Sequence, residues 1–108
     1  MIRDFTNILI ALTTRGEGIL HLMGKEIFVF AKGTGWEIAT KVSSKKHSEI
    51  NESFSYPFTG QGSLAIKDYG GKGVYFVYKV PKMDRYIFFR NTLKNYLEEA
   101  DSWCKIFK

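Results

Sequence analysis

Two histidines, one cysteine and a glycine-rich turn beside a lysine are the residues of this chain whose types could do chemistry. His21 stands between Leu20 and Leu22, so on a strand it faces away from them. His47 follows Lys45-Lys46 in a polar stretch. Imidazole titrates near neutrality, which suits acid–base work or metal binding. Neither ring has a second His, Cys or carboxylate at a local ligand spacing, so surface histidines and no metal are expected. Cys104 has only Lys105 as a local cation and is expected to pack as a small hydrophobe. Gly70-Gly71-Lys72-Gly73 could offer backbone N–H groups to a phosphate. It lacks the GxxxxGK(S/T) spacing, and a strand follows it instead of a helix, so a hairpin turn needing positive φ accounts for the glycines. The serine-rich stretch 43–55 has no GxSxG elbow, and Glu17, Glu26 and Glu37 stand apart from one another. No catalytic residue and no cofactor is assigned.

Charge and aromatics point elsewhere. The chain has 16 Lys+Arg against 11 Asp+Glu, a net charge of +5. Most of the surplus lies in residues 67–90, where Lys67, Lys72, Lys79, Lys82, Arg85 and Arg90 face only Asp68 and Asp84. A strand exposing Tyr75 and Lys79 beside Lys72 could stack a base and hold a phosphate. The candidate nucleic-acid or partner contacts are therefore Lys72, Tyr75, Lys79, Lys82, Arg85 and Arg90, with Lys45, Lys46 and His47 as loop contacts.

Residues 72–79 partly resemble the RNA-recognition consensus, matching it at Lys72, Gly73, Phe76 and Val77. That family implies a helix directly after its first strand, whereas residues 19–42 read as strands. The family is set aside and the stacking physics is kept. In size and charge alone the chain also resembles small basic ribonuclease toxins of the RelE-like class. That resemblance implies Lys72, Lys79, Arg85 and His47 as the reacting groups, but such toxins open with two helices, which this chain lacks.

These residues must be positioned by the elements around them. Ile2, Phe5, Leu9 and Leu12 recur at helical spacing, so a helix is expected over 2–15 with Gly16 after its end. Ile8, Ile10, Thr13 and Thr14 pull the same segment towards strand. Runs at 19–22 and 26–31, split by Met23-Gly24-Lys25, predict a hairpin. Ile27-Phe28-Val29-Phe30 is apolar on both faces, which predicts a central strand covered on both sides. After the turn at 32–35, Trp36, Ile38, Thr40 and Val42 alternate with Glu37, Ala39 and Lys41, predicting a strand with one wet face. Residues 43–53 read as a long polar loop of the kind that is often functional. Pro57 limits Phe54–Phe58 to an edge strand or a turn. A second hairpin is expected over 63–67 and 73–80, with Tyr75, Val77 and Lys79 on its outer face. Asp84 is the expected N-cap of an amphipathic helix over 85–105, whose apolar stripe runs from Tyr86 to Phe107.

The expected fold is α+β: an antiparallel sheet of about five strands with an N-terminal helix and a long C-terminal amphipathic helix, in one domain over 1–108. Aromatic residues are 16% of the chain, and in a domain this small they are expected to build the core. No apolar run approaches the roughly 20 residues that span a bilayer, and the N-terminus does not look like a secretory signal. A cytoplasmic setting is expected, which suits one unpaired cysteine. Lysine outnumbers arginine 12 to 4, a bias that fits an AT-rich coding sequence of phage or mobile-element origin. The expected function is a small non-enzymatic binding protein. Its target is a protein, as for an inhibitor or adaptor of the anti-defence type, in the manner of anti-CRISPR proteins. The alternatives are nucleic acid bound through 67–90 and a ribonuclease toxin. A homodimer through an edge strand or the C-terminal helix is a further expectation.

Overall fold

The computed structural model describes residues 2–44 and 62–107, so Lys45, Lys46, His47 and the segment around Pro57 lie outside the described residues. The chain opens with helix α1 (Ile2–Arg15) and closes with helix α2 (Tyr86–Ile106). Between them run β1 (Glu17–Leu22), β2 (Lys25–Lys32), β3 (Gly35–Ser43), β4 (Gly62–Asp68) and β5 (Lys72–Pro81). All five strands pair antiparallel in one sheet of order β1-β2-β3-β5-β4. The fold is α+β, as the short glycine turns imply. No helix among the described residues is long and apolar enough to cross a membrane.

The first helix forms although two threonines favour strand. Thr13 and Thr14 donate their hydroxyls to the carbonyls of Leu9 and Ile10, each at 2.8 Å, so both side chains are satisfied within the helix. The helix stops at Gly16, whose N–H bonds Leu12 O at 3.0 Å and whose carbonyl accepts Ala31 N–H at 2.9 Å. Ile8 and Ala11 are its buried residues. They lie over Gly18 of β1, where an added Cβ would come within 2.9 Å of Ile8 Cδ1 and 3.1 Å of Ala11 Cβ. Gly18 is thus a contact point inside the strand, which begins at Glu17, and not part of a turn.

Strands β1 to β3 form a meander on two tight turns. Met23 and Gly24 both take positive φ (51° and 73°), the conformation a two-residue hairpin needs. Strand β5 then inserts beside β3, in a register that sets Thr40 opposite Phe76 and Ile38 opposite Tyr78.

Both helices lie on one face of the sheet. The main core gathers Leu20, Ile27, Val29, Trp36, Ile38, Phe76 and Tyr78 from the strands against Ile8 of α1 and Phe89, Leu93, Tyr96 and Trp103 of α2. Tyr96 stacks on Phe76 (5.3 Å between centroids, 8° between planes) and donates its hydroxyl to Phe76 O at 2.6 Å. Tyr78 Oη donates to Glu99 at 2.7 Å. Thr40, the buried polar side chain of this inner face among the described residues, donates to Glu26 O at 2.8 Å. The stripe expected on the last helix is the face that is buried, and Arg90, Lys94, Glu98, Asp101 and Lys105 are exposed. Asp101 pairs with Lys105 at 3.2 Å, one turn on.

One terminus departs from expectation. Arg85, not Asp84, is the N-cap of α2, and no side chain caps it. Packing sets this start: Met83 is buried, and Phe5 packs on the rings of Tyr86 and Phe89 at 5.8 and 5.0 Å.

Candidate functional site

The face of the sheet turned away from both helices holds the candidate site. Register assigns its residues: Ile19, Phe28, Ala39 and Val77 form one cross-strand row, and Glu17, Phe30, Glu37 and Lys79 the next. An apolar row beside a charged one, on a face that no helix among the described residues covers, is the starting material of a docking surface.

The β4–β5 turn completes it. Residues 69–71 fold over this face, which is possible because Gly70 has no side chain: a Cβ there would sit 2.5 Å from Phe28 Cζ. Tyr75 ties the turn down from beneath. Its hydroxyl donates to Gly71 O at 2.6 Å and accepts Gly70 N–H at 3.1 Å. Tyr69 is thereby laid across the sheet. Its ring lies 4.7 Å from Phe30, 5.2 Å from Tyr75 and 6.0 Å from Phe28. Its hydroxyl points at Glu37 Oε2, 3.4 Å away. Burial, and after it the neighbouring Glu37 carboxylate, raises the Tyr69 phenol above its ordinary value, so it remains a donor.

Tyr69 divides the face into two hollows. Towards β1, one is lined by Arg15, Glu17, Ile19, Phe28, Phe30 and Asp68. Towards the Pro81 end of β5, the other is lined by Lys32, Glu37, Lys67, Lys79 and Pro81. Tyr69 borders both. Ile19 is 51% exposed, while Phe30 and Tyr69 are half-buried.

The residues singled out from sequence are scattered. Tyr75 is 0% exposed, so the expectation of a stacking ring is corrected: it lies under Tyr69 in a small core with Phe28, Ala39 and Val77. The same cover corrects the expected wet face of β3, because Ala39 is buried. It also explains why β2 is apolar on both sides: helices cover one, the turn of Tyr69 the other. Lys72 and Lys79 are seven residues apart on β5, an odd offset that sends them to opposite faces. Lys72 stands opposite Asp68 at the far end of the strand. Lys82 and Arg85 lie in the connection to α2, and Arg90 is on the exposed side of that helix. Of the six, only Lys79 reaches the aromatic face with its side chain exposed.

The other chemical candidates do little. His21 is 74% exposed and meets its cross-strand neighbour Glu26 at 3.4 Å. The Cys104 thiol is raised in pKa by burial, the opposite of activation. No group of three or more His, Cys, Asp or Glu among the described residues could hold a metal. Sequence reasoning missed Ile19, Phe30, Glu37 and Tyr69 as site residues. The alternation of β1 carried the signal for Ile19; nothing local announces that a tyrosine in a glycine turn will pack against the rings of the sheet.

Comparison with family models, curated proteins and solved structures found no match.

Proposed function

We propose that this chain is a non-enzymatic binding protein that holds another protein on the face of its sheet turned away from α1 and α2. One observation carries the reading. An apolar patch, made by exposed Ile19 and half-buried Phe30 and Tyr69 over buried Phe28, is bordered by charges of both signs: Arg15, Lys32, Lys67 and Lys79 against Glu17, Glu37 and Asp68. Apolar anchors inside a polar rim are the usual anatomy of a protein interface. A surface that tracks a phosphate backbone needs cations along its length, and three carboxylates here oppose that. The dispersal of Lys72, Lys79, Lys82, Arg85 and Arg90 over two sheet faces and a helix further weakens the nucleic-acid alternative.

Within this class we favour a small inhibitor or adaptor of phage or mobile-element origin, acting in the cytoplasm. Size and the lysine-rich composition support that origin.

The test is selection from a phage-displayed library of random peptides on the intact chain. Ile19→Asp places a charge in the apolar row of the face, on the edge strand β1 and on an already exposed side chain. It is expected to lose the peptides that the unmodified chain enriches. Ile10→Asp, on the exposed side of α1, is expected to keep them. Recovery of the same peptides by Ile19→Asp, or no enrichment at all, overturns the assignment of this face.

A further inference from the structure

The two hollows beside Tyr69 differ in charge. The hollow on the β1 side mixes Arg15 with Glu17 and Asp68. The other sets Lys32, Lys67 and Lys79 against one carboxylate, Glu37. Glu37 is already approached by the Tyr69 hydroxyl at 3.4 Å. None of the three lysines joins an ion pair among the described residues. The Lys32 ammonium lies 5.7 Å from the centroid of the Phe30 ring, so its charge is held above the aromatic floor.

The three lysines do not converge on one point. Lys67 is opposite Gly73, and Lys79 lies six residues further along β5, about 20 Å of strand at roughly 3.3 Å per residue. Lys32 is on β2, two strands away from β5 in the sheet order, about 10 Å at ~4.8 Å per strand. One small anion cannot touch all three. A chain carrying several separated carboxylates can.

We propose that an extended acidic segment of the partner protein occupies this hollow. Its Asp or Glu side chains meet Lys32, Lys67 and Lys79, an intervening apolar side chain rests on Tyr69 and Pro81, and the segment continues past Tyr69 onto Ile19 in the neighbouring hollow. The proposal rests on the reading of this face as a protein-binding surface and adds the chemistry of its occupant. Glu37 and the Tyr69 hydroxyl at the centre favour a polypeptide. A continuous phosphate chain would cross a carboxylate where it needs a cation, whereas a peptide can place an amide or an apolar group there.

The same peptide library separates the two claims. Selection on the unmodified chain is expected to enrich acidic sequences with an interspersed aromatic or aliphatic residue. The triple variant Lys32→Ala, Lys67→Ala, Lys79→Ala alters only exposed side chains. It is expected to bind a synthetic copy of the best peptide about tenfold or more weakly by fluorescence anisotropy, as three modest charge pairs would give. The triple arginine variant is expected to retain binding. Peptides that depend on Ile19 but are neutral or basic would overturn the acidic occupant and leave the face standing. Loss of Ile19 dependence removes both. Tighter binding of a single-stranded oligothymidylate than of the peptide, abolished by the triple alanine variant, would replace the polypeptide with nucleic acid.

Discussion

The Tyr75 hydroxyl donates to the carbonyl of Gly71 at 2.6 Å, so a ring buried in the sheet holds the turn that lays Tyr69 across its surface. Core and surface are mechanically one unit at this point. Removing the hydroxyl alone, in Tyr75→Phe, leaves the ring in place and frees both Gly71 O and Gly70 N–H. The expected cost is about 1–2 kcal/mol of stability in urea denaturation. Peptide binding at Tyr69 should weaken as well, and unchanged binding would show that the turn keeps its place without this anchor.

Gly70→Ala tests the close approach itself. Its Cβ would meet Phe28 Cζ at 2.5 Å, so either the ring or the turn must move. We expect a loss of about 1–3 kcal/mol and a changed near-ultraviolet circular dichroism signal from the displaced tyrosine. A stability equal to that of the unmodified chain would mean that Phe28 has room to retreat.

Alkaline pH should unfold the chain through Tyr96. Burial raises its phenol well above the ordinary 10.0, and its proton is used in the bond to Phe76 O. The folded value lies above the unfolded one. Stability is therefore complete below pH 10.0 and declines as pH rises above it, because only the unfolded chain readily loses the proton. The urea midpoint should fall in that range. Tyr96→Phe should start about 1–2 kcal/mol lower and show a shallower alkaline decline.

Gly18 and Ile8 should be coupled. Gly18→Val thrusts branched carbon towards Ile8 Cδ1 and Ala11 Cβ, and should destabilise by about 1–3 kcal/mol through displacement of α1. Ile8→Ala removes the colliding atom, so the double variant should lose less than the two single losses added together. Simple additivity in a double-mutant cycle would mean that the helix does not bear on the strand there.

Cys104 offers a probe of packing. Burial raises its thiol pKa, so alkylation by iodoacetamide at neutral pH should be slower than for an unstructured cysteine peptide. The rates should become equal in denaturant.

What the sequence makes legible here is what depends on neighbours along the chain. The spacing Phe89, Leu93, Tyr96, Leu97, Ala100, Trp103 specifies a helix and its buried side without reference to anything else. The opposite faces of Lys72 and Lys79 were also legible, since seven is odd, yet composition drew them into one basic patch. Tyr75 was not legible. Alternation places it on the same face as Lys79, but its burial comes from a turn that folds over that face, and Gly70 permits this only by contact with Phe28 of β2. Asp84 failed as a cap for a related reason: buried Met83 and the ring of Phe5 set the start of α2 from outside the local sequence. The candidate site sits among such non-local contacts, so little of it was readable beforehand.

The order of strands has a kinetic consequence. The meander of β1 to β3 closes through two-residue turns, and β4 with β5 closes as its own hairpin. Joining the two requires pairs such as Ser43 with Val74, about thirty residues apart, and such distant closures are the slow part of sheet formation. The aromatic face straddles that seam. Phe28, Phe30 and Ala39 arrive with the meander; Tyr69, Tyr75 and Val77 arrive with the hairpin. Neither half carries the whole aromatic face by itself, so the proposed docking surface is complete only at the last assembly event, and a chain stalled before it presents half of that face.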